Sequence, residues 1–159
     1  MTISNIKDSI DSNIHKVWET VLVVDKYTQW RSDLSKTEVI NEEQFIEYTK
    51  NGYPTTFTIT VVEPHKRWEF DMENSNMKGH WIGIFTSIDD KTEIDFTEQV
   101  TAKKFYMKPF VKSYLKKQQT QFVMDLKRIL EKYILIYRGD EEYEKICCLI
   151  ERNQCKWKK

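Results

Sequence analysis

One acid in this chain falls where an apolar residue belongs. From Thr92 to Thr101 the sequence alternates with period two, so Ile94, Phe96 and Val100 share a face with Glu98 while Glu93, Asp95, Thr97 and Gln99 point away. A carboxylate turned toward a dry interior is costly unless it is paired, protonated, hydrated or in use. Two readings therefore stand side by side: a salt bridge or hydrogen bond at an interior wall, or a ligand contact whose catalytic form is general acid/base chemistry. Gln118 and Gln119 pose the same question. They occupy the place between Leu115 and Phe122 where a helical apolar stripe asks for another apolar side chain, and they read either as bonded amides or as anchors for the polar end of a ligand.

Other chemistries find little support. His15 lies on a predicted helix, His65 in a turn and His80 out of phase with Trp81, so no histidine is expected to face the interior. Cys147, Cys148 and Cys155 lack the two-residue spacing and the nearby histidine of a zinc site, and their odd number does not make a disulfide framework. Neither a metal nor a cofactor is expected. No serine or cysteine has a spaced base to activate it, and glycine is too scarce for a phosphate-cradling loop. The 25 basic and 25 acidic residues cancel and are interspersed, which argues against nucleic acid or an anionic membrane as partner. The first residues lack the features of a signal peptide and no apolar run approaches the ~20 residues of a membrane span, so a cytoplasmic protein without membrane insertion is expected.

The elements that must position Glu98 and the glutamines can be read from periodicity. The spacing predicts one long helix over Pro109 to Tyr133, with Val111, Leu115, Phe122, Leu126, Ile129, Leu130 and Tyr133 on one stripe. Ile3 to Ile10 reads as a strand, and Asp11-Ser12-Asn13 caps a helix carrying Ile14, Val17, Trp18 and Val21. Asp25 is expected to cap a second short helix with Tyr27 and Trp30. Six period-two segments follow, over 36–40, 45–50, 55–62, 67–72, 78–88 and 92–101, an antiparallel meander in which Asn51-Gly52 is the strongest hairpin signal. The alternation groups Phe57 with Ile59 and Val61, and Trp68 with Phe70 and Met72. Trp81 and Phe85 are placed inward with Gly79 and Gly83, glycines that let a ligand or a helix approach the backbone. Trp30, Phe57, Trp68, Phe70, Trp81, Phe85, Phe96 and Phe122 either fill the interior or line an apolar pocket with Glu98, Gln118 and Gln119.

This order of elements resembles the START-like or SRPBCC superfamily. The residues that carry the likeness are Ile10 through Trp18, Asp25 through Trp30, Glu63-Pro64 with Arg67-Trp68, Gly79-His80-Trp81, Thr92 to Glu98 and Phe122 to Leu130. It is nearest to the polyketide cyclase/dehydrase and lipid-transport branch. The resemblance implies an α+β helix-grip fold: a curved seven-stranded antiparallel sheet wraps a long C-terminal helix, with two short helices after the first strand and a cavity between sheet and helix. Residues 1–133 would form that domain. Residues 134–159 would form an extension whose helix, carrying Tyr143, Ile146, Cys147 and Ile150, docks on the domain or on a second copy as a homodimer. The resemblance favours a module that binds a hydrophobic small molecule, lipid-like or polycyclic aromatic. Its rivals are a polyketide cyclase- or dehydratase-like enzyme, with Glu98 as acid/base assisted by a tyrosine, and an interaction domain acting through the terminal helix.

Overall fold

The computed structural model describes residues 1–137 of the 159. A first strand, β1 (Thr2–Ile10), is followed by two helices, α1 (Ile14–Leu22) and α2 (Tyr27–Trp30), joined by a 3-10 turn. Six strands then meander: β2 (Leu34–Val39), β3 (Gln44–Thr49), β4 (Pro54–Glu63), β5 (Arg67–Glu73), β6 (Met77–Ile88) and β7 (Lys91–Ala102). A second 3-10 turn over Phe105–Met107 leads into α3 (Lys108–Tyr137). The sheet order is β1-β7-β6-β5-β4-β3-β2, with every neighbouring pair antiparallel. The first strand thus closes against the last, with Ile6 opposite Phe96.

Local chemistry accounts for the breaks. Asn13 caps α1 by accepting from the Lys16 amide at 3.0 Å, satisfying one of the donors a helix start leaves open. The expected cap at Asp25 is not formed. Asp25 lies inside the 3-10 turn Val24–Lys26, Lys26 precedes α2, and no side chain caps it. Gly52 takes φ of 75° in the β3–β4 hairpin, a conformation that glycine adopts without strain.

The helix α3 lies over the β1–β7 end of the sheet. Val111, Leu115, Val123, Leu126 and Leu130 are buried there, while Phe122, Ile129 and Tyr133 are half-buried. The stripe is therefore turned toward Val123, which the sequence reading left out, and Phe122 faces Trp30 with ring centroids 5.4 Å apart. Each fully buried aliphatic side chain contributes about 1.5–3 kcal/mol. Polar contacts fix the register: Lys127 pairs with Asp8 at 2.7 Å, and the fully buried Asp125 accepts from the Ser32 amide at 2.7 Å and the Ser32 hydroxyl at 2.8 Å. The helix runs past Tyr133 to Tyr137 because no breaker intervenes before Gly139. The expected terminal helix and the three cysteines lie outside the described residues. Among those described, no helix is long and apolar enough to cross a membrane.

Candidate functional site

Period-two alternation delivers rings from five successive strands to the same face of the sheet. Phe45 of β3 stacks on Phe57 of β4 at 4.8 Å, Phe57 meets the edge of Phe70 of β5 at 5.2 Å, and Phe70 stacks on Trp81 of β6 at 4.8 Å. Trp81 reaches Phe96 of β7 at 4.9 Å, and Phe96 reaches Phe122 of α3 at 6.0 Å. Such pairs are worth about 0.5–1.5 kcal/mol each beyond their burial, so the row is a stiff wall. Between it and the first half of α3 lies a cavity of about 350 Å³. Phe110 and Tyr114 line it and are 71% and 43% exposed, which places them at its mouth. The indole of Trp81 lies across Gly83, where any side chain would overlap the ring, and a Cβ at Gly79 would come within 2.6 Å of the Gln99 carbonyl. What approaches Gly83 is thus a ring of its own strand and not a helix.

Glu98 sits directly opposite Trp81 in the sheet register and lines the cavity, 8% exposed. It makes no hydrogen bond or ion pair with any described residue. Burial pushes its pKa up to about 7, with the Arg31 charge pulling down and Glu47 pushing up. The paired acid of this wall is instead Glu47. It accepts from Arg31 Nη1 at 2.7 Å, and Arg31 also donates to Asp33 at 3.1 and 2.7 Å. The guanidinium lies 5.2 Å from the ring centroids of both Tyr27 and Phe122. Burial works to lower the Arg31 pKa, but Glu47 and Asp33 more than offset it, so the group stays charged. Burial raises Glu47 against the pull of Arg31. Burial, Glu98 and Asp33 all raise Tyr114, which places its hydroxyl in the field of the cavity acids. The buried Nε1 of Trp68, another wall residue, has no acceptor among the described residues. Chemically, Glu98 can donate a hydrogen bond below about pH 7, accept one above it, and exchange a proton near neutrality.

The cavity brings together Phe57, Trp68, Phe70, Trp81, Phe96, Glu98, Gln118, Gln119 and Phe122. Trp30 and Phe85 do not reach it. Trp30 is spent packing Tyr27 against Phe122, and Phe85, farther along the same face of β6, packs between Trp18 and Phe96. The two glutamines differ: Gln119 accepts from the Ser4 hydroxyl at 2.7 Å and donates to its carbonyl at 3.3 Å, whereas Gln118 is half-buried with no bond to a described residue. Arg31, Glu47, Asp33, Tyr53 and Tyr114 were missing from the sequence reading. Glu47 carried a usable signal, since it shares the period-two face of Phe45. Arg31, in a polar Arg-Ser-Asp loop, carried none. The histidines stay outside: His15 and His65 meet at 3.2 Å, and His80 bonds to Asp71 at 2.7 Å and Glu69 at 3.0 Å.

Residues 5–131 match the model of the polyketide cyclase / dehydrase and lipid transport family. No curated protein sequence matches the chain. Solved structures share the fold at low identity. A START superfamily protein from Mycobacterium smegmatis superposes with a TM-score of 0.76 at 10% identity, covering 82% of this chain and 98% of its own. The Zhui aromatase/cyclase from Streptomyces sp. R1128 gives 0.74 at 10% identity over 84% and 95%. A conserved protein from Geobacillus kaustophilus gives 0.72 at 13% over 82% and 96%. With the match spanning strands, cavity and most of α3, the chain belongs to the polyketide cyclase/dehydrase and lipid transport family of the START-like (SRPBCC) superfamily and has its helix-grip fold.

Proposed function

We propose that this protein binds a compact, uncharged hydrophobic molecule with one polar end, held between the aromatic wall and α3. The observation that carries this reading is the unpaired Glu98 carboxyl facing a ring-lined cavity of about 350 Å³. That volume lies at the lower end of the ~300–1,000 Å³ of small-molecule pockets, which suits a fused-ring or single-chain ligand better than a two-chain phospholipid. The polar lining argues against an anion. Arg31 is already matched by Glu47 and Asp33, and Glu98 adds acid, so a fatty-acid carboxylate or a phosphate would find no free cation among the described residues that line the cavity. A hydroxyl or carbonyl can bond to Glu98, with the Gln118 amide as second partner.

Native mass spectrometry and tryptophan emission, with a panel of hydroxylated polycycles, long-chain alcohols and fatty acids, test this. Neutral hydroxylated ligands should bind one per chain and quench Trp81, while fatty acids of equal length should bind at least tenfold more weakly. Uniform absence of binding would sink the proposal, and a preference for fatty acids would overturn the assigned polar end.

One observation favours a second reading, an enzyme that moves a proton on a folded polyketide-like chain: Glu98 titrates near neutrality, where a general acid/base works best. Tyr114 is the tyrosine in reach of its field, since the Tyr27 hydroxyl is committed to the Val21 carbonyl and the Tyr53 hydroxyl to Ser75 and Asn74. For a confirmed substrate, Glu98→Gln should abolish turnover and spare binding. Turnover surviving that change would remove Glu98 from the role.

A further inference from the structure

The segment that leads from β7 into α3, and so carries the cavity-mouth residues Phe110 and Tyr114, has an unusual composition. Between Glu98 and Asp125 the chain has no acidic residue and six lysines. Lys103 is engaged by Glu73 at 2.6 Å and by the Asn74 carbonyl at 2.8 Å. Lys104, Lys108, Lys112, Lys116 and Lys117 are exposed and form no ion pair with a described residue. Lys108 and Lys112 begin α3, where the helix dipole disfavours cations and no acid offsets them; their placement therefore has no folding rationale. Interleaved with them are Phe105, Tyr106 and Phe110, exposed by 81%, 58% and 71%. Scattered exposed rings are ordinary, but three within six residues, with Phe105 and Tyr106 in edge contact at 5.8 Å, mark a contact surface.

We propose that this edge, the 3-10 turn Phe105–Met107 with the first turns of α3, docks on an anionic lipid bilayer. Rings at the headgroup level with lysines against lipid phosphates and carboxylates are the chemistry of interfacial binding. Because Phe110 and Tyr114 also line the cavity, docking turns its mouth toward the bilayer, from which a hydrophobic ligand can pass without crossing water. A second copy fits less well, since a two-fold contact through this edge would set lysines against lysines. Single-stranded nucleic acid fits less well too, because residues 99–124 contain no arginine to fork onto phosphate or base.

The test is vesicle co-sedimentation of the full chain, which reads docking whether or not the cavity takes a ligand. Phosphatidylcholine vesicles are compared with vesicles in which phosphatidylserine makes up about a third of the lipid. Binding should require phosphatidylserine and weaken steeply with salt. The triple variant Lys104→Gln, Lys108→Gln, Lys112→Gln should bind roughly a hundredfold more weakly, at roughly fivefold per charge. Phe105→Ser with Tyr106→Ser, outside the cavity lining, should also weaken binding at unchanged melting temperature. No binding to anionic vesicles, or full binding by the triple variant, overturns the proposal. So does a dimer in light scattering that the Phe105→Ser, Tyr106→Ser variant abolishes, or release from vesicles by a single-stranded oligonucleotide.

Discussion

Glu98 is held at about pKa 7 because the fold gives it burial without a partner, and that has a measurable thermodynamic sign. A carboxyl whose folded pKa exceeds its unfolded value contributes stability that is fully present below the unfolded pKa and is lost as pH rises through the folded one. The rise from 4.5 to about 7 corresponds to about 3 kcal/mol lost between those values. Urea unfolding of the protein and of Glu98→Gln across pH 4 to 9 should therefore give curves that coincide near pH 4 and separate above it. The variant should be more stable by about 3 kcal/mol at pH 8. Parallel curves would show that Glu98 is hydrated or paired in solution. The acid was legible in the sequence because alternation fixed its phase. Its lack of a partner was not, since pairing depends on Arg31, which the chain brings across from α2 and gives to Glu47 instead.

Between elements, α3 and β6 each carry a constraint that a single substitution can test. Asp125 is fully buried on α3 and receives Ser32 from the α2–β2 connection, Gln121 at 3.0 Å and Arg128 at 2.7 Å. Burial works to raise its pKa, but these hydrogen bonds and the Arg128 charge win and hold it below the ordinary value. Removing the acceptor leaves the Ser32 amide unmatched, so Asp125→Ala should cost about 2–3 kcal/mol at neutral pH. The stability at issue is present above the unfolded pKa and fades as pH falls through the lower folded one. Variant and parent should thus converge as pH falls below the ordinary carboxylate range, and a gap that stays constant through that fall would assign the loss to packing alone. On β6, Gly83→Ala would push a methyl group into the Trp81 ring. It should cost about 1–3 kcal/mol and shift tryptophan emission as the indole tilts into the cavity. An unchanged spectrum would mean that the backbone yields instead. Inward faces were readable at this scale where period two runs unbroken, as in Trp68, Phe70 and Met72, but not in β4, where a bulge between Ile59 and Val61 sets Val61 opposite Glu69 and removes it from the face of Phe57 and Ile59. The rotation of α3 toward Val123 was not, because a helix wheel does not say which side the sheet covers.

For the whole molecule, element order sufficed for the fold, since a strand, two short helices, a six-strand meander and one long helix leave few arrangements that bury α3. The charge pattern of the segment from β7 into α3 was hidden by summation: 25 acids and 25 bases cancel over the chain while the charged residues among 99–124 are all lysines. The cavity was not legible either, because the same rings can fill an interior or wall a space, and only the distance from the sheet to the first half of α3 decides between them. Occupancy of that space is linked to stability. A molecule that binds the native state alone stabilises it by about 2.7 kcal/mol at a hundred times its Kd. For a chain of this size that raises the melting temperature by about 5–10 °C. The pH dependence of the rise then identifies the atom that meets Glu98. A ligand carbonyl needs the protonated acid as donor and should stabilise more at pH 6 than at pH 8, whereas a ligand hydroxyl donating to the carboxylate should reverse that order. In Glu98→Gln either slope should vanish while the rise from apolar contact persists. A binder whose shift is the same at both pH values in the parent protein would place its polar end away from Glu98, and the Gln118 side of the cavity would be the next place to look.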